Sequence, residues 1–201
     1  MAAVSPLVLA SASPRRSALL SQLGLRHRVV PAHIDEQRLE GESIEQCVRR
    51  LAMQKALQVS AMLAAAEPMA PPAAVLGADT TVVIEEQMLG KPRDREHALA
   101  MLERLSGHEH EVLSAVALVC AGTVNLALSR SWVRLRALAR EECEAYWDSG
   151  EPRDKAGGYA IQGRGAVFVE ALRGSYSGVM GLPLFETGQL LAAAGLPLWQ
   201  I

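Results

Sequence analysis

The sequence predicts an α/β fold: a mixed, twisted central sheet flanked by helices. Short apolar runs alternate with segments of helical period through the first half of the chain, whereas the middle holds two long strand-like runs joined around Ala121-Gly122, as in a hairpin. Alternation favours parallel strands joined by crossover helices and the hairpin an antiparallel pair, so the sheet is expected to be mixed. Half of the 201 residues are hydrophobic but only 4% are aromatic, which leaves the packing to Ala, Leu and Val. A chain of this length can bury a full core as one domain, or as one domain with two lobes.

Residues 7–10 read as a buried strand. Ser13 suits an N-cap and Pro14 the first helical position, so a helix is expected from Pro14 to about Leu23. Ala18, Leu19 and Leu23 form its buried stripe and Gly24 its stop. Residues 28–31 make a second short strand and residues 32–41 a polar loop. Ser43-Ile-Glu-Gln46 has the form of a capping box, opening a helix from Ile44 to about Ala66 that Glu67-Pro-Met-Ala-Pro-Pro72 breaks. Residues 74–77 read as a buried strand ending in Ala78-Asp79-Thr80; residues 81–84 and 87–89 then pair as a hairpin around Glu85-Glu86. Residues 95–105 are helical in period and stop at Gly107. The long paired strands are 111–120 and 124–133. A short helix covers 140–149, a glycine-rich stretch 150–165, a strand 166–170, and a last helix 183–194 before Gly195.

Bulk properties exclude several functions. A formal net charge of −2 gives no generic polyanion-binding surface, so a nucleic-acid duplex is not an expected partner and any basic site must be local. Cys47, Cys120 and Cys143 are widely spaced, with neither C-x-x-C nor metal-ligand spacing, which fits reduced thiols in a cytoplasmic protein. No Lys or Arg precedes the short apolar run near the N-terminus, so no signal peptide is expected, and no segment approaches transmembrane length.

The first chemical signal is Arg15-Arg16, two guanidiniums in the first turn of a helix. That end of a helix carries partial positive charge, and a cation there costs roughly 0.3–1 kcal/mol. Free amides beside two bidentate donors make a phosphate cradle, unless the pair is simply solvated. Lys55 falls on the apolar stripe of the 44–66 helix, with Ile44, Val48, Leu51, Ala52, Ala56 and Val59; either its ammonium snorkels to water or it faces a cleft. Asp79, at the end of a buried strand, is placed to ligate Mg²⁺ or take a proton from water, or else to form a turn or cap. Glu36 is a second carboxylate, in the 32–41 loop. Gly90-Lys91-Pro92 puts a lysine in a tight turn, as a phosphate contact or a surface charge. In 150–165 the glycines permit close approach of backbone to a ligand, and Gln162 offers an amide able to read a base edge; the alternative is a flexible surface loop. No Walker or dinucleotide fingerprint is present. His108 and His110 would share a strand face but lack a third ligand nearby, and no nucleophile elbow supports acyl transfer.

In chain order, Leu9-Ala-Ser-Ala-Ser-Pro-Arg-Arg16, Asp35-Glu36, Leu51-Ala-Met-Gln-Lys-Ala56, Gly77-Ala-Asp-Thr80, Gly90-Lys-Pro92, Gly150-Glu-Pro152, Asp154-Lys-Ala-Gly157, Tyr159-Ala-Ile-Gln-Gly163 and Ser175-Tyr-Ser-Gly-Val-Met-Gly-Leu-Pro183 resemble the Maf family of nucleoside triphosphate pyrophosphatases. Each segment alone is weak, whereas the ordered set spans nearly the whole chain. The resemblance implies a single Maf-like domain over residues 1–201, with two lobes around a cleft in the manner of ITPase-like folds. It implies hydrolysis of a nucleotide between the α and β phosphates with a divalent cation, Mg²⁺, Mn²⁺ or Co²⁺. Asp79 would then be the proton acceptor or metal-organising carboxylate and Glu36 the second acid, both available to the metal. Lys55 would supply positive charge at the catalytic centre. Arg15 and Arg16, with Ser13 nearby and Lys91, would hold the triphosphate. The Tyr159-Ala-Ile-Gln-Gly163 stretch is similar to the branch acting on dTTP and UTP, which gives Thr80 and Gln162 a part in pyrimidine selection. The alternatives are a pyrophosphatase for 7-methyl-GTP or other modified purines, and a nucleotide-binding regulator of septum formation. The family also suggests a homodimer. Two positions depart from its pattern: His33 stands where an acid is common, and His108 where Arg is frequent.

Overall fold

The computed structural model describes residues 7–69, 71–196 and Leu198. The first six residues, on which the absence of a signal peptide was expected, and Ala70 of the proline-rich breaker lie outside the described residues. The elements are β1 (Leu7–Leu9), α1 (Pro14–Gln22), β2 (His27–Val29), α2 (Ile44–Ala66), β3 (Ala74–Ile84), β4 (Gln87–Leu89) and α3 (Arg95–Leu105). They continue with β5 (Glu109–Cys120), β6 (Thr123–Leu135), α4 (Arg140–Asp148), β7 (Val169–Arg173), α5 (Tyr176–Met180) and α6 (Leu184–Ala193). Among the described residues the sheet has seven strands, in the order β2-β1-β3-β5-β6-β7 with β4 paired to β3. β1 runs parallel to β2 and β3, while β3–β4 and β6–β7 are antiparallel, so the expected mixed sheet forms. The described residues gather into two compact units: one holds those of 7–79, 114–128 and 181–198, the other Thr80–Leu113 and Ser129–Met180.

In the first unit, β1 and β3 pair Leu9 with Leu76, and the Ala10 amide donates to the Leu76 carbonyl at 2.8 Å. β3 then runs on past the end of β1, and α1 begins beyond that end. α2 starts where the sequence places it, because the capping box closes: Ser43 Oγ accepts from the Gln46 amide at 3.1 Å and Gln46 Oε1 from the Ser43 amide at 2.8 Å. Its inward face is Cys47, Val48, Leu51, Ala52, Lys55, Ala56 and Val59. Gly77 of β3 lets this face come close, since a Cβ there would lie 2.3 Å from the Ala52 carbonyl oxygen and 2.7 Å from the Ala56 nitrogen.

In the second unit, β3 and β4 pair Val82 with Leu89 and Ile84 with Gln87. The turn between them has Glu85 and Glu86 at φ 50° and 61°, the twist a two-residue hairpin needs even without glycine. Asp94 caps α3, its Oδ1 accepting from the His97 amide at 2.8 Å. The core packs Val82, Ile84, Leu89, Leu102, Leu105, Val112, Val133 and Leu135 around Tyr146, Tyr159 and Phe168.

Four expectations change. Asp79 does not end a strand: residues 74–84 form the single strand β3, because Thr80, Thr81, Val82, Val83 and Ile84 are a β-favouring, mostly buried run. Ser13 occupies the N-cap of α1 without a side-chain cap bond; its amide donates to Ser11 Oγ at 3.2 Å instead. The buried residues of α1 are Leu19 and Leu20, whereas Ala18 is exposed, since a helix turns about 100° per residue and these two leucines set the inward direction. The last strand begins at Val169 rather than Ala166, because Gly163–Phe168 winds into a 3-10 turn. The short α5 helix carries too few residues to show a period in the sequence.

Candidate active site

The core of the site lies in the first unit. Lys55 is buried: its ammonium lies 2.7 Å from Asp79 Oδ1 and 2.6 Å from Glu36 Oε1, with 9% of the side chain exposed. Snorkelling is thereby excluded, and the break in the apolar stripe of α2 is an internal cation serving two carboxylates. Asp79 is almost as enclosed, its side chain 12% exposed, while that of Glu36 is 56% exposed. Burial pushes the Asp79 carboxyl above its ordinary pKa, against the opposing pull of Lys55 and Arg16. A carboxylate raised this way is a stronger base than one in water.

Arg16 is anchored. Its Nε donates to the Gly181 carbonyl at 2.7 Å and its Nη1 to Ser11 Oγ at 3.1 Å. Loss of solvent around the guanidinium lowers its pKa, with Asp79 and Glu36 acting in the opposite sense and Arg15 in the same one. Arg15 is half-buried, and the first turn of α1 contains no acid to offset the two cations. The cations at the positive end of α1 are thus met not by the helix itself but by acids of other elements, Asp79 and Glu36 acting on Arg16.

The acid loop is positioned by contacts that sequence reasoning missed. Gln58 of α2 grips it, its Oε1 accepting from the His33 amide at 2.8 Å and its Nε2 donating to the His33 carbonyl at 2.7 Å. The unusual residue at position 33 is thus held through its backbone. Asp35 forms an Asx turn, its Oδ1 accepting from the Gln37 amide at 2.9 Å. Further along, Arg50 Nη2 donates to the Gln37 carbonyl at 2.9 Å and its Nε to Glu42 at 2.6 Å. The bond from Arg50 holds the Glu42 carboxyl down at about 2. Between these ties Glu36 meets Lys55. The signal for them in the sequence is only a pair of polar residues on α2, Gln58 one turn after Lys55 and Arg50 more than a turn before it.

Thr80, Lys91 and Gln162 belong to the second unit. Thr80 is half-buried within β3, and Lys91 is exposed in the turn after β4. The Gly157 amide donates to the Gly90 carbonyl at 3.0 Å, which joins the Lys91 turn to the glycine-rich stretch. That stretch is a series of 3-10 turns over Glu151–Asp154, Ala156–Gly158 and Gly163–Phe168 rather than a featureless loop. Gln162 is half-buried at the head of the last one and makes no side-chain cap bond. His110 is buried against the Tyr159 hydroxyl while His108 is exposed and precedes β5, so the two do not form a ligand pair.

Asp79 and Glu36 present hard carboxylate oxygens around one point of positive charge. Among the described residues, no three His, Cys, Asp or Glu side chains gather to cage an ion. That donor set fits a Mg²⁺-like ion bound by one or two carboxylates and completed by phosphate oxygens. Among the described residues no helix is long and apolar enough to cross a membrane.

The chain belongs to the Maf-like protein family, whose sequence model matches residues 6–194. Three relatives match nearly the whole chain. A dTTP/UTP pyrophosphatase of Saccharophagus degradans is 52% identical over 194 residues, covering 96% of this chain and 91% of its own. One from Methylococcus capsulatus is 54% identical over 191 residues (94% and 91%), and one from Vibrio cholerae is 47% identical over 188 residues (94% and 97%).

Proposed function

We propose that this protein hydrolyses dTTP and UTP to the nucleoside monophosphate and pyrophosphate. The observation that carries this reading is the buried Lys55 ammonium shared by Asp79 and Glu36, with Arg16 anchored close enough to act on the same carboxylate. The names of the relatives supply the substrate class.

Water attacks the α phosphorus, the bond to the bridging oxygen breaks, and pyrophosphate leaves with the electron pair. Such a transfer needs positioning and charge stabilisation rather than a protein nucleophile. Asp79 accepts the proton of the attacking water, a task its raised pKa suits. Lys55 holds that carboxylate in place and balances it before the proton arrives. Arg15 and Arg16, beside Ser13 at the start of α1, bind the polyanionic tail, and Lys91 adds a further cation. Asp79 and Glu36 would hold a divalent cation, which when bound would supply charge neutralisation at the triphosphate. Gln162 and Thr80 contact the pyrimidine.

The test is a panel of UTP, dTTP, CTP, 7-methyl-GTP and ITP, with analysis of the phosphate products. UTP and dTTP should be preferred, with pyrophosphate released. Asp79→Asn should abolish turnover while nucleotide binding persists, and Gln162→Ala should erase the pyrimidine preference. Preference for 7-methyl-GTP, or tight nucleotide binding without turnover under any divalent metal, would overturn the proposal.

A further inference from the structure

Gln162 sits in a stretch of backbone that is tied down on both sides of it. Upstream, the buried Tyr159 hydroxyl lies 2.7 Å from His110 Nε2, and the Ala160 amide donates to the Tyr146 hydroxyl at 3.0 Å. Downstream, the Arg164 and Gly165 amides donate to the two oxygens of Glu151 at 2.9 and 3.0 Å. The Tyr146 hydroxyl itself donates to Glu151 Oε1 at 2.8 Å. One carboxylate and one phenol therefore fix both flanks. The Tyr146 ring stands edge-on to Phe168, centroids 5.0 Å apart, which keeps the phenol in place.

The glycines show how closely this is built. Gly163 has φ +76°, and a Cβ there would come 2.5 Å from Glu151 Oε2. A Cβ on Gly165 would come 2.6 Å from the Tyr146 hydroxyl. Burial pushes the Glu151 carboxyl up, but the two amides and the phenol outweigh it and hold its pKa below the ordinary value. By contrast, the Gln162 side-chain amide makes no hydrogen bond to a described residue. The scaffold is saturated and the tip is available.

We propose that Glu151, acting with Tyr146, is the positioning residue that sets base selectivity: it holds the backbone around Gln162 at one register. This rests on the reading of Gln162 as the base-contacting residue. The physical need is specific. A primary amide carries both a donor and an acceptor, and uracil and cytosine present them in opposite order on their pairing edges. Rotation about its terminal bond exchanges the two ends of the amide, so the fixed backbone sets the reach and angle at which the amide meets a base edge. A displaced backbone spoils that angle and weakens whatever discrimination the amide makes.

The test compares kcat/KM for UTP and CTP, which share sugar and triphosphate. Glu151→Gln puts a donor where an amide already donates, and should lower the UTP-over-CTP ratio about tenfold, mainly through KM for UTP. Tyr146→Phe removes one hydroxyl, keeps the ring, and should act in the same direction. In a Gln162→Ala background neither change should alter the ratio further. Hydrogen exchange of the Arg164 and Gly165 amides, followed without nucleotide, should quicken at least about tenfold in Glu151→Gln. A wild-type ratio retained in Glu151→Gln, or in Tyr146→Phe if the first variant does not fold, overturns the inference. So does a wild-type protein that cleaves UTP and CTP alike. A wild-type protein that cleaves no nucleotide refutes the functional reading itself, and faster exchange in the variant then marks Glu151 as structural only.

Discussion

Lys55→Met isolates the buried cation. Methionine keeps an unbranched stem of similar length between Ala52 and Val59, so no large cavity opens and the loss is that of the charge. Removing one partner of a buried ion pair costs about 3–5 kcal/mol, because the other charge is left uncompensated. The uncompensated group is Asp79, whose side chain is 12% exposed. Arg16 still acts on it, which places the expected cost near the lower end, about 3 kcal/mol. Glu36 adds little, since its side chain is more than half exposed and such pairs are worth about 0–1 kcal/mol. For a chain of this size, 1 kcal/mol moves the melting temperature by about 2–4 °C, so the variant should melt roughly 6–12 °C lower. The assay is thermal unfolding by circular dichroism at pH 7 with chelator present, run beside Glu36→Gln, which should shift by no more than about 1 kcal/mol. Lys55→Met/Asp79→Asn should regain most of the loss, since the orphaned charge is then gone. A Lys55→Met protein that melts with the wild type, or a double variant no better than the single, refutes the reasoning.

Gly77→Ala should destabilise by about 1–3 kcal/mol or more and reduce turnover, because the added methyl displaces the part of α2 that carries Lys55; wild-type melting and activity in this variant would show that the close approach is not needed. Arg15→Ala should raise KM for UTP tenfold or more while leaving the melting temperature unchanged or slightly higher, since a cation leaves the positive end of α1. A clear fall in melting temperature without nucleotide would make Arg15 structural. Burial holds His110 neutral, with its pKa lowered to about 4 from 6.5. The unfolded chain therefore takes up its proton first, and His110 contributes stability above pH 6.5 that is lost as the pH falls toward 4, at up to about 1.4 kcal/mol per pH unit. Urea unfolding from pH 7 to 4.5 should show a shallower loss in His110→Gln than in the wild type; equal slopes would contradict the burial argument.

Much of this is legible in the sequence. The capping box at Ser43 fixes the start of α2, and a lysine on its apolar face marks a place where that face meets carboxylates. The arginine pair was visible because charge and helix polarity conflict there. β3 was misread for an instructive reason. An aspartate inside an apolar run signals a turn when only local preference is considered, and the ammonium that lets it stay in the strand is 24 residues away in the chain. The hold of Gln58 on His33 was hidden for the same reason, since backbone groups leave no trace in residue identity. The glycine-rich stretch is compatible with close backbone approach or with a flexible loop, and Glu151 and Tyr146 make it a fixed frame. Gly163 and Gly165 there report lack of room rather than mobility.

The most direct test of the central claim is hydrolysis of UTP by the wild-type protein in ¹⁸O-labelled water with Mg²⁺, the products being separated and weighed by mass spectrometry. Attack of water at the α phosphorus predicts UMP carrying the label and unlabelled pyrophosphate, with neither formed by Asp79→Asn. Label in pyrophosphate, release of UDP and inorganic phosphate, or undiminished turnover in Asp79→Asn would contradict it.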